Sequence, residues 1–254
     1  MTSPTGTQAV DRAAQLLVEV ARSRDPVTFT ELTTASGLAK STTSRLLTAL
    51  ERNGLVRRDP AGRFAPGEVF VSYAWRGGAE ADLVSVAQPV LAQLGDDTGE
   101  TVNLGVAREG GLVEQIAQVD SRYLIGGTNW VGLAVPLHCA ALGKVLLAFG
   151  AAELPKGRLE ARTDRTITSW ATLTTELAIV RSRGYATTVE ELEPGLVAVA
   201  APVFTGGGEV VAALSVSAPA TRLSAGELPG VAARCAAAAR SLSVLLGHEQ
   251  EGAS

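Results

Sequence analysis

Residues Lys40–Asn53, KSTTSRLLTALERN, form the stretch that decides the fold of the N-terminal part of the chain. Their spacing predicts an amphipathic helix. Its apolar face is predicted to carry Thr43, Leu46, Leu47 and Leu50. Its opposite face carries Ser41, Thr42, Ser44, Arg45 and Thr48. Taken alone, this stretch favours a helix with a merely solvated polar face over a DNA-reading helix, so the flanking segments have to decide its role.

Two helices are predicted upstream of this stretch. Val10–Ser23 has helical period, with Val10 and Val20 on its apolar side. Thr28 followed by Glu31 is a capping box that starts a short helix, and Gly37 closes it as a left-handed cap. The link between the second and third helices is too short for an antiparallel hairpin, so they cross steeply. This indicates a helix-turn-helix whose third helix enters the major groove of DNA.

A basic hairpin is predicted downstream. Leu55–Arg58 and Arg63–Ala65 are typical of strands, and Asp59-Pro60-Ala61-Gly62 is typical of the turn between them. Such a hairpin after a helix-turn-helix is a wing that meets backbone phosphates. We expect double-stranded operator DNA as the partner, and at least a homodimer, because one winged helix covers one half-site. The candidate DNA contacts are Thr30, Lys40, Ser41, Thr42, Thr43, Ser44, Arg45, Arg57, Arg58 and Arg63.

The charge distribution agrees weakly with DNA binding. The chain of 254 residues has a net charge of −4. Residues 1–76 hold ten Lys and Arg against seven Asp and Glu, and the remainder holds twelve against nineteen. A basic N-terminal part on an acidic body is the asymmetry expected when one domain alone meets phosphates.

The rest of the chain predicts an α+β domain around a mostly antiparallel sheet. Two groups of strands are predicted, with helices between and after them. The predicted strands are Thr101–Arg108, Leu112–Val119, Tyr123–Gly126, Ala186–Val189, Val197–Phe204 and Val210–Ser217. The predicted helices are Ala81–Gly95, Ala140–Phe149, Thr174–Arg183 and Ala225–Leu246.

The chain resembles the IclR-type transcriptional regulators from about Gln8 to Leu246. The resemblance rests on GLAKSTTSRLLTALERNGLV, VPLHCAALGKVLLA, RGYATTVEELEPGLVAVAAPVF and VVAALSVSAPATRL, which begin at Gly37, Val135, Arg183 and Val210. It implies a GAF-like effector domain, dimers that often pair into tetramers, and DNA binding altered by a small metabolite. We therefore expect a winged helix-turn-helix over residues 8–67, a linker helix over 68–79 and an effector-binding domain over 80–248. The family includes repressors and activators, and we expect a repressor.

The start of the helix at Ala140 is a candidate effector site. Unpaired amides at a helix N-terminus attract a carboxylate or carbonyl oxygen, and those of Ala140, Ala141 and Leu142 are candidates. Ser215 and Ser217 alternate on one strand, so both point to one face. The resemblance implies that these serines and this helix start hold the effector's oxygen atoms. Without the resemblance, the residues alone favour the ordinary polar face of an edge strand.

Two other pocket positions depart from the family pattern. Thr188 stands where members that sense small polar acids tend to have Asp, and Ala198 stands where they tend to have Cys. Trp130 is expected to form an aromatic wall or to pack at a subunit contact. These departures predict a carboxylate or amide with an apolar or aromatic body, and a poor fit for glyoxylate-like acids.

No catalytic, metal or cofactor site is expected. The sequence contains no nucleophile elbow, phosphate loop or metal-ligand spacing, and it has only two histidines. We expect His138 to be a structural hydrogen-bonding residue and Cys139 to fill a pocket or the core. Without a signal peptide or membrane span, we expect a cytoplasmic protein. An enzyme using carboxylates and a winged helix that docks an acidic protein remain the alternatives.

Overall fold

The computed structural model describes residues 7–23, 25–75, 78–123, 128–153 and 157–248. The chain divides into two compact units after Ala81. Among the described residues, no helix has the length and apolar character needed to cross a membrane.

The smaller unit consists of four helices and a two-stranded hairpin. The helices are α1 (Gln8–Arg22), α2 (Phe29–Ser36), α3 (Lys40–Arg52) and α4 (Glu68–Trp75), and the strands are β1 (Val56–Arg58) and β2 (Phe64–Pro66).

Local signals start and stop α2 as the sequence predicts. The Glu31 amide donates to Thr28 Oγ1 over 3.2 Å, and the Thr28 amide donates to Glu31 Oε2 over 2.8 Å. These two bonds complete the capping box. Gly37 then adopts a φ of 65°, a left-handed conformation that costs glycine little. The tight turn that follows directs α3 away from α2.

The core of this unit joins α1, α2 and α3 to the hairpin. Its largest fully buried side chains are Leu16, Leu32, Leu47 and Phe64. The inward face of α1 is set by Leu16 and Val20, whereas Val10 is 67% exposed. The prediction that Val10 faces inward is therefore wrong, because packing against α2 and α3 begins one turn later in the helix.

The larger unit contains six strands and four helices. The strands are β3 (Thr101–Arg108), β4 (Leu112–Val119), β5 (Ala134–Pro136), β6 (Ala186–Val189), β7 (Leu196–Phe204) and β8 (Val210–Pro219). The helices are α5 (Gly78–Thr98), which begins in the smaller unit, α6 (Ala141–Ala148), α7 (Trp170–Arg183) and α8 (Leu228–Leu245).

The six strands form one antiparallel sheet in the order β5-β4-β3-β8-β7-β6. Residues on one face pack with α5 and α8, and residues on the other face pack with α6 and α7. Strand β8 follows this alternation, since Leu214 and Val216 lie in the α5/α8 core while Ala213 lies in the α6/α7 core. We call these the α8 face and the α6 face.

Two glycines allow α6 to approach its neighbours closely. A Cβ on Gly105 of β3 would lie 2.9 Å from Leu142 Cδ1, and a Cβ on Gly143 would lie 2.2 Å from the Leu137 carbonyl oxygen. Leu137–Cys139 forms a 3-10 turn that leads into α6. Helix α6 is therefore held tightly against both the sheet and this turn.

Most predicted elements are present, with differences at their ends. Strand β5 was not predicted, because a strand of three residues that ends in a proline gives too short a pattern. Helix α7 begins at Trp170, where the Ser169 side chain accepts a hydrogen bond from the Thr172 amide. Most of the predicted strand Tyr123–Gly126 lies outside the described residues. Strand β8 is central, so the edge-strand interpretation of Ser215 and Ser217 is wrong.

Candidate functional site

The outer face of α3 presents polar and basic side chains to solvent. Lys40, Ser41, Ser44 and Arg45 are exposed, and Thr42 is half-buried. No side chain caps the N-terminus of α3, where the capping position is Ala39. Backbone amides and a positive dipole end therefore remain available to a phosphate.

Thr43 does not belong to this face. Its side chain is fully buried in the core of the smaller unit, and its Oγ1 donates to the Ala39 carbonyl over 3.3 Å. From the sequence, Thr43 is expected both on the apolar face of α3 and among the DNA contacts. In the structure it lies on the apolar face. The prediction that Thr43 contacts DNA is wrong, because α1 and α2 cover that side of the helix.

The start of α2 suits a phosphate less well than the start of α3. Thr30 is exposed in the first turn of α2, as a DNA contact requires. However, the capping box already satisfies this terminus with the Glu31 carboxylate. Hydrogen bonds from Thr28 lower the pKa of Glu31, so this carboxylate stays negative and repels a phosphate.

The three arginines of the wing differ in their surroundings. Arg57 is exposed and makes no ion pair among the described residues. Arg58 Nε lies 3.2 Å from Glu51 Oε2, and its guanidinium lies 4.6 Å from the centre of the Phe64 ring. Arg63 lies 2.8 Å from Asp59, which also accepts hydrogen bonds from the turn's backbone. Arg57 is the wing arginine that a phosphate can pair with at the smallest cost.

A small cavity lies between the α6 face of the sheet and α6 itself. Eight of the nine predicted effector residues line it: Trp130, Ala140, Ala141, Leu142, Thr188, Ala198, Ser215 and Ser217. Its volume is about 40 Å³. One water needs roughly 10–15 Å³, so the cavity as it stands suits a compact ligand.

Strand register explains why distant residues meet in this cavity. Thr188 of β6 pairs with Ala198 of β7, and Ala198 pairs with Ser217 of β8. On the next row, Ser215 pairs with Asn103 of β3. Small side chains along these rows leave space under α6 that larger side chains would fill.

Cys139 is the predicted effector residue that does not line the cavity. It is fully buried in the 3-10 turn, and its Sγ donates to the Pro136 carbonyl. Burial raises the pKa of the Cys139 thiol to about 11, so the group is neutral and unreactive. The proposed pocket role of Cys139 is therefore wrong, whereas its alternative role as a core filler agrees with its burial.

Five cavity residues were missed by the sequence interpretation: Asn103, Gln115, Val135, Leu192 and Leu196. Asn103 and Gln115 are buried polar side chains within apolar strands. That pattern was a usable signal, since a buried amide needs a hydrogen-bonding partner. With these two amides the cavity is more polar than Thr188 and Ala198 alone imply, yet among the described residues no charged side chain lines it.

A buried ion pair lies on the same face of the sheet. Lys144 of α6 is 1% exposed, and its Nζ lies 2.6 Å from Glu191 Oε1 in the connection between β6 and β7. Burial raises the pKa of Glu191, and the attraction of Lys144 opposes that rise. Thr163 and Thr166 donate to the carbonyls of Glu190 and Glu191, which holds the connection in place. The pair thus ties α6 to the loop that carries Leu192.

His138 has a structural partner, as the sequence predicts. Its Nε2 lies 2.9 Å from the Glu160 carbonyl oxygen. His138 and Cys139 both lie in the 3-10 turn that leads into α6. Across the described ranges, no group of three His, Cys, Asp or Glu side chains could hold a metal ion.

Family models match both units of the chain. The IclR helix-turn-helix domain matches residues 9–60. The C-terminal domain of the bacterial transcriptional regulator IclR matches residues 79–244.

Known proteins match nearly the whole chain. The HTH-type transcriptional regulator BhcR of Paracoccus denitrificans is 35% identical over 251 residues, covering 94% of this chain and 87% of the relative. The acetate operon repressor of Salmonella typhimurium is 32% identical and covers 94% of this chain and 90% of the relative. The crystal structure of Thermotoga maritima IclR is 26% identical, with a TM-score of 0.61, covering 95% of this chain and all of that one (100%).

Proposed function

The chain belongs to the IclR family of bacterial transcriptional regulators, and on that premise we propose that it is a cytoplasmic repressor whose operator binding is controlled by a compact effector. It is a DNA-binding transcriptional regulator and not an enzyme. The proposal for the DNA contacts rests on the exposed polar face of α3, its uncapped helix start, and Arg57, which has no ion-pair partner within the described part of the chain.

Operator recognition is assigned to α3 and the wing. Arg45 and the exposed serines reach base edges, while Lys40, the first amides of α3 and Arg57 hold phosphates. A homodimer, or a dimer of dimers, supplies the second half-site. Two similar proteins are named as repressors, the acetate operon repressor of Salmonella typhimurium and the transcriptional repressor IclR of Escherichia coli, which favours repression here.

The effector is assigned to the cavity under α6. Amides at the start of α6 and the hydroxyls of Ser215 and Ser217 suit a carboxylate or amide oxygen, and Trp130, Val135 and Leu196 suit an apolar body. A volume of about 40 Å³ favours the aliphatic members of this class. An aromatic body requires the loop that carries Trp130 to move outward.

A gel-shift titration against the promoter region beside the gene tests the DNA-binding part. Arg45→Ala should weaken binding by about 1–3 kcal/mol, the loss expected for one base contact. Arg240→Ala on α8 is the matched control, because it removes the same charge from an exposed site in the larger unit. Equal binding by both variants would contradict the assignment of α3.

Salt dependence separates DNA binding from the protein-docking alternative. Phosphate contacts weaken steeply as salt rises, and Arg57→Ala should make the slope shallower by about one unit. A partner that stays bound at high salt and needs no DNA would favour the docking alternative.

A further inference from the structure

Asn103 is a buried polar residue with one unsatisfied atom in the cavity. Its side chain is 3% exposed and lines the space under α6. Its Oδ1 is buried and has no hydrogen-bond partner among the described residues. Buried carbonyl oxygens are rarely left unpaired in proteins, so this atom needs an explanation.

The surroundings of Asn103 direct this oxygen to a ligand. Asn103 Nδ2 donates to Ser217 Oγ over 3.4 Å, so one N–H of the side-chain amide already has a partner. Ser215 is its register partner on β8. Val102 and Leu104, its neighbours along β3, belong to the core on the α8 face. The unpaired oxygen therefore lies beside the two serines assigned to the effector.

We infer that Asn103 is a specificity-determining residue, which selects effectors that carry a hydrogen-bond donor, a hydroxyl or an amide N–H, next to the acid or amide oxygen. This inference rests on the proposed effector pocket. It replaces the expectation that small polar acids fit poorly with a preference for compact acids or amides that carry a hydrogen-bond donor. A ligand with such a donor pairs Oδ1, whereas a donor-free ligand leaves it unpaired and excluded from water. The acid or amide oxygen of the ligand is bound by the backbone amides at the start of α6.

Two acids that differ only at one substituent test the donor requirement. Lactate carries a hydroxyl where isobutyrate carries a methyl group of similar size. Calorimetry on the full-length protein should show lactate binding at least about tenfold more tightly, the effect expected for one buried hydrogen bond. Equal binding of the two acids, tighter isobutyrate binding, or binding of neither acid would overturn the inference.

Asn103→Leu removes the acceptor and keeps the side-chain size. This variant should lose the preference for lactate. Thr101→Val is the matched control, because Thr101 is a buried residue on the same strand and face that does not line the cavity. Its preference for lactate should persist. A preference for lactate that survives Asn103→Leu would overturn the inference.

Thermal unfolding without ligand separates a recognition role from a structural one. If Oδ1 serves a ligand, Asn103→Leu should raise the Tm by about 2–4 °C, because it removes an unsatisfied buried carbonyl. A lowered Tm in this variant would overturn the inference, since it would make Asn103 a structural residue.

Gel shifts of the wild type and of Asn103→Leu distinguish a failure of the role of Asn103 from a failure of the proposed function. Both proteins should shift operator DNA equally in the absence of acid. An intact shift without a lactate preference refutes the role of Asn103 alone. Loss of the shift in the wild type itself refutes the proposed function.

Discussion

The two faces of the six-stranded sheet come from the same strands but have different contents. The α8 face holds Val and Leu side chains packed against two long helices, as Leu214 and Val216 illustrate. The α6 face holds Ser215 and Ser217 at the alternate positions, and it also buries Lys144 and Glu191. Period-2 alternation thus lets one strand build a packed core on one side and a polar cavity on the other. Recognition is assigned to the α6 face, whereas both faces contribute to stability, since the α6 face also contains an apolar core and a buried ion pair.

The largest expected effect tests the buried charges of the α6 face. Lys144→Met leaves Glu191 buried without its cation and should lower the free energy of unfolding by about 3–5 kcal/mol at neutral pH. Chemical denaturation measures this loss. Adding Glu191→Gln should restore much of it, because the unpaired charge is then gone. A loss that the second substitution does not reduce would show that the charge is not its cause.

The pH dependence of Lys144→Met follows from the same pair. Burial raises the pKa of Glu191 already in the wild type, and removing Lys144 takes away the attraction that opposes this rise. A carboxyl group whose pKa is higher in the folded than in the unfolded state costs no stability at low pH, where both states are protonated. It lowers the free energy of unfolding as the pH rises above its unfolded-state pKa. The deficit of the variant should therefore be smaller at about pH 5 than at about pH 8.

A pair of neighbouring substitutions on β8 compares the faces directly. Leu214→Ala opens a cavity in the α8-face core and should lower the free energy of unfolding by about 2–5 kcal/mol. The Ser215 side chain lines the pocket. Ser215→Ala should change the free energy of unfolding by less than about 1 kcal/mol, and it should weaken effector binding. Similar losses of stability in the two variants would contradict the assignment of Ser215 to effector recognition.

The smallest expected effect is a difference in thiol labelling. Burial raises the pKa of Cys139 on the α6 side to about 11 and that of Cys235 on the α8 side to about 12. At about pH 8 both thiols are neutral, so a thiol reagent should label neither in the folded protein.

Slow labelling over hours then reports local opening of each face. Cys139 should react before Cys235, since the α6 face contains a cavity whereas Cys235 lies within the core of the α8 face. The single variants Cys139→Ser and Cys235→Ser identify the thiol that reacts. Faster labelling of Cys235 would show that the α8 face opens first.

The fold was predictable wherever short-range interactions set it. The bounds of β3, β4 and β6 are those predicted, because turn residues and alternation mark strand ends locally. The α2 capping box was predictable for the same reason, since its partners lie three residues apart. Ser215 and Ser217 had to share a face whatever the rest of the chain did.

The missed and misassigned residues depend on contacts between distant segments. Lys144 and Glu191 are 47 positions apart, and Asn103 meets Ser217 across 114 positions. Local periodicity predicts that a strand has two faces without deciding which face meets α6. The same limit applies to Thr43, which α1 and α2 bury. Arg58 and Arg63 pair over short separations instead, with Glu51 of α3 and with Asp59 of the turn.

The sequence by itself determined the order and type of most elements, the winged helix-turn-helix with its basic hairpin, and the family. These features follow from hydrogen bonds and steric preferences within a few residues. Only the tertiary structure decided which side chains surround the cavity, how small that cavity is, and that an amide oxygen of Asn103 lies unpaired within it. Such properties arise where strands and helices far apart in the chain pack together, and no local pattern specifies that packing.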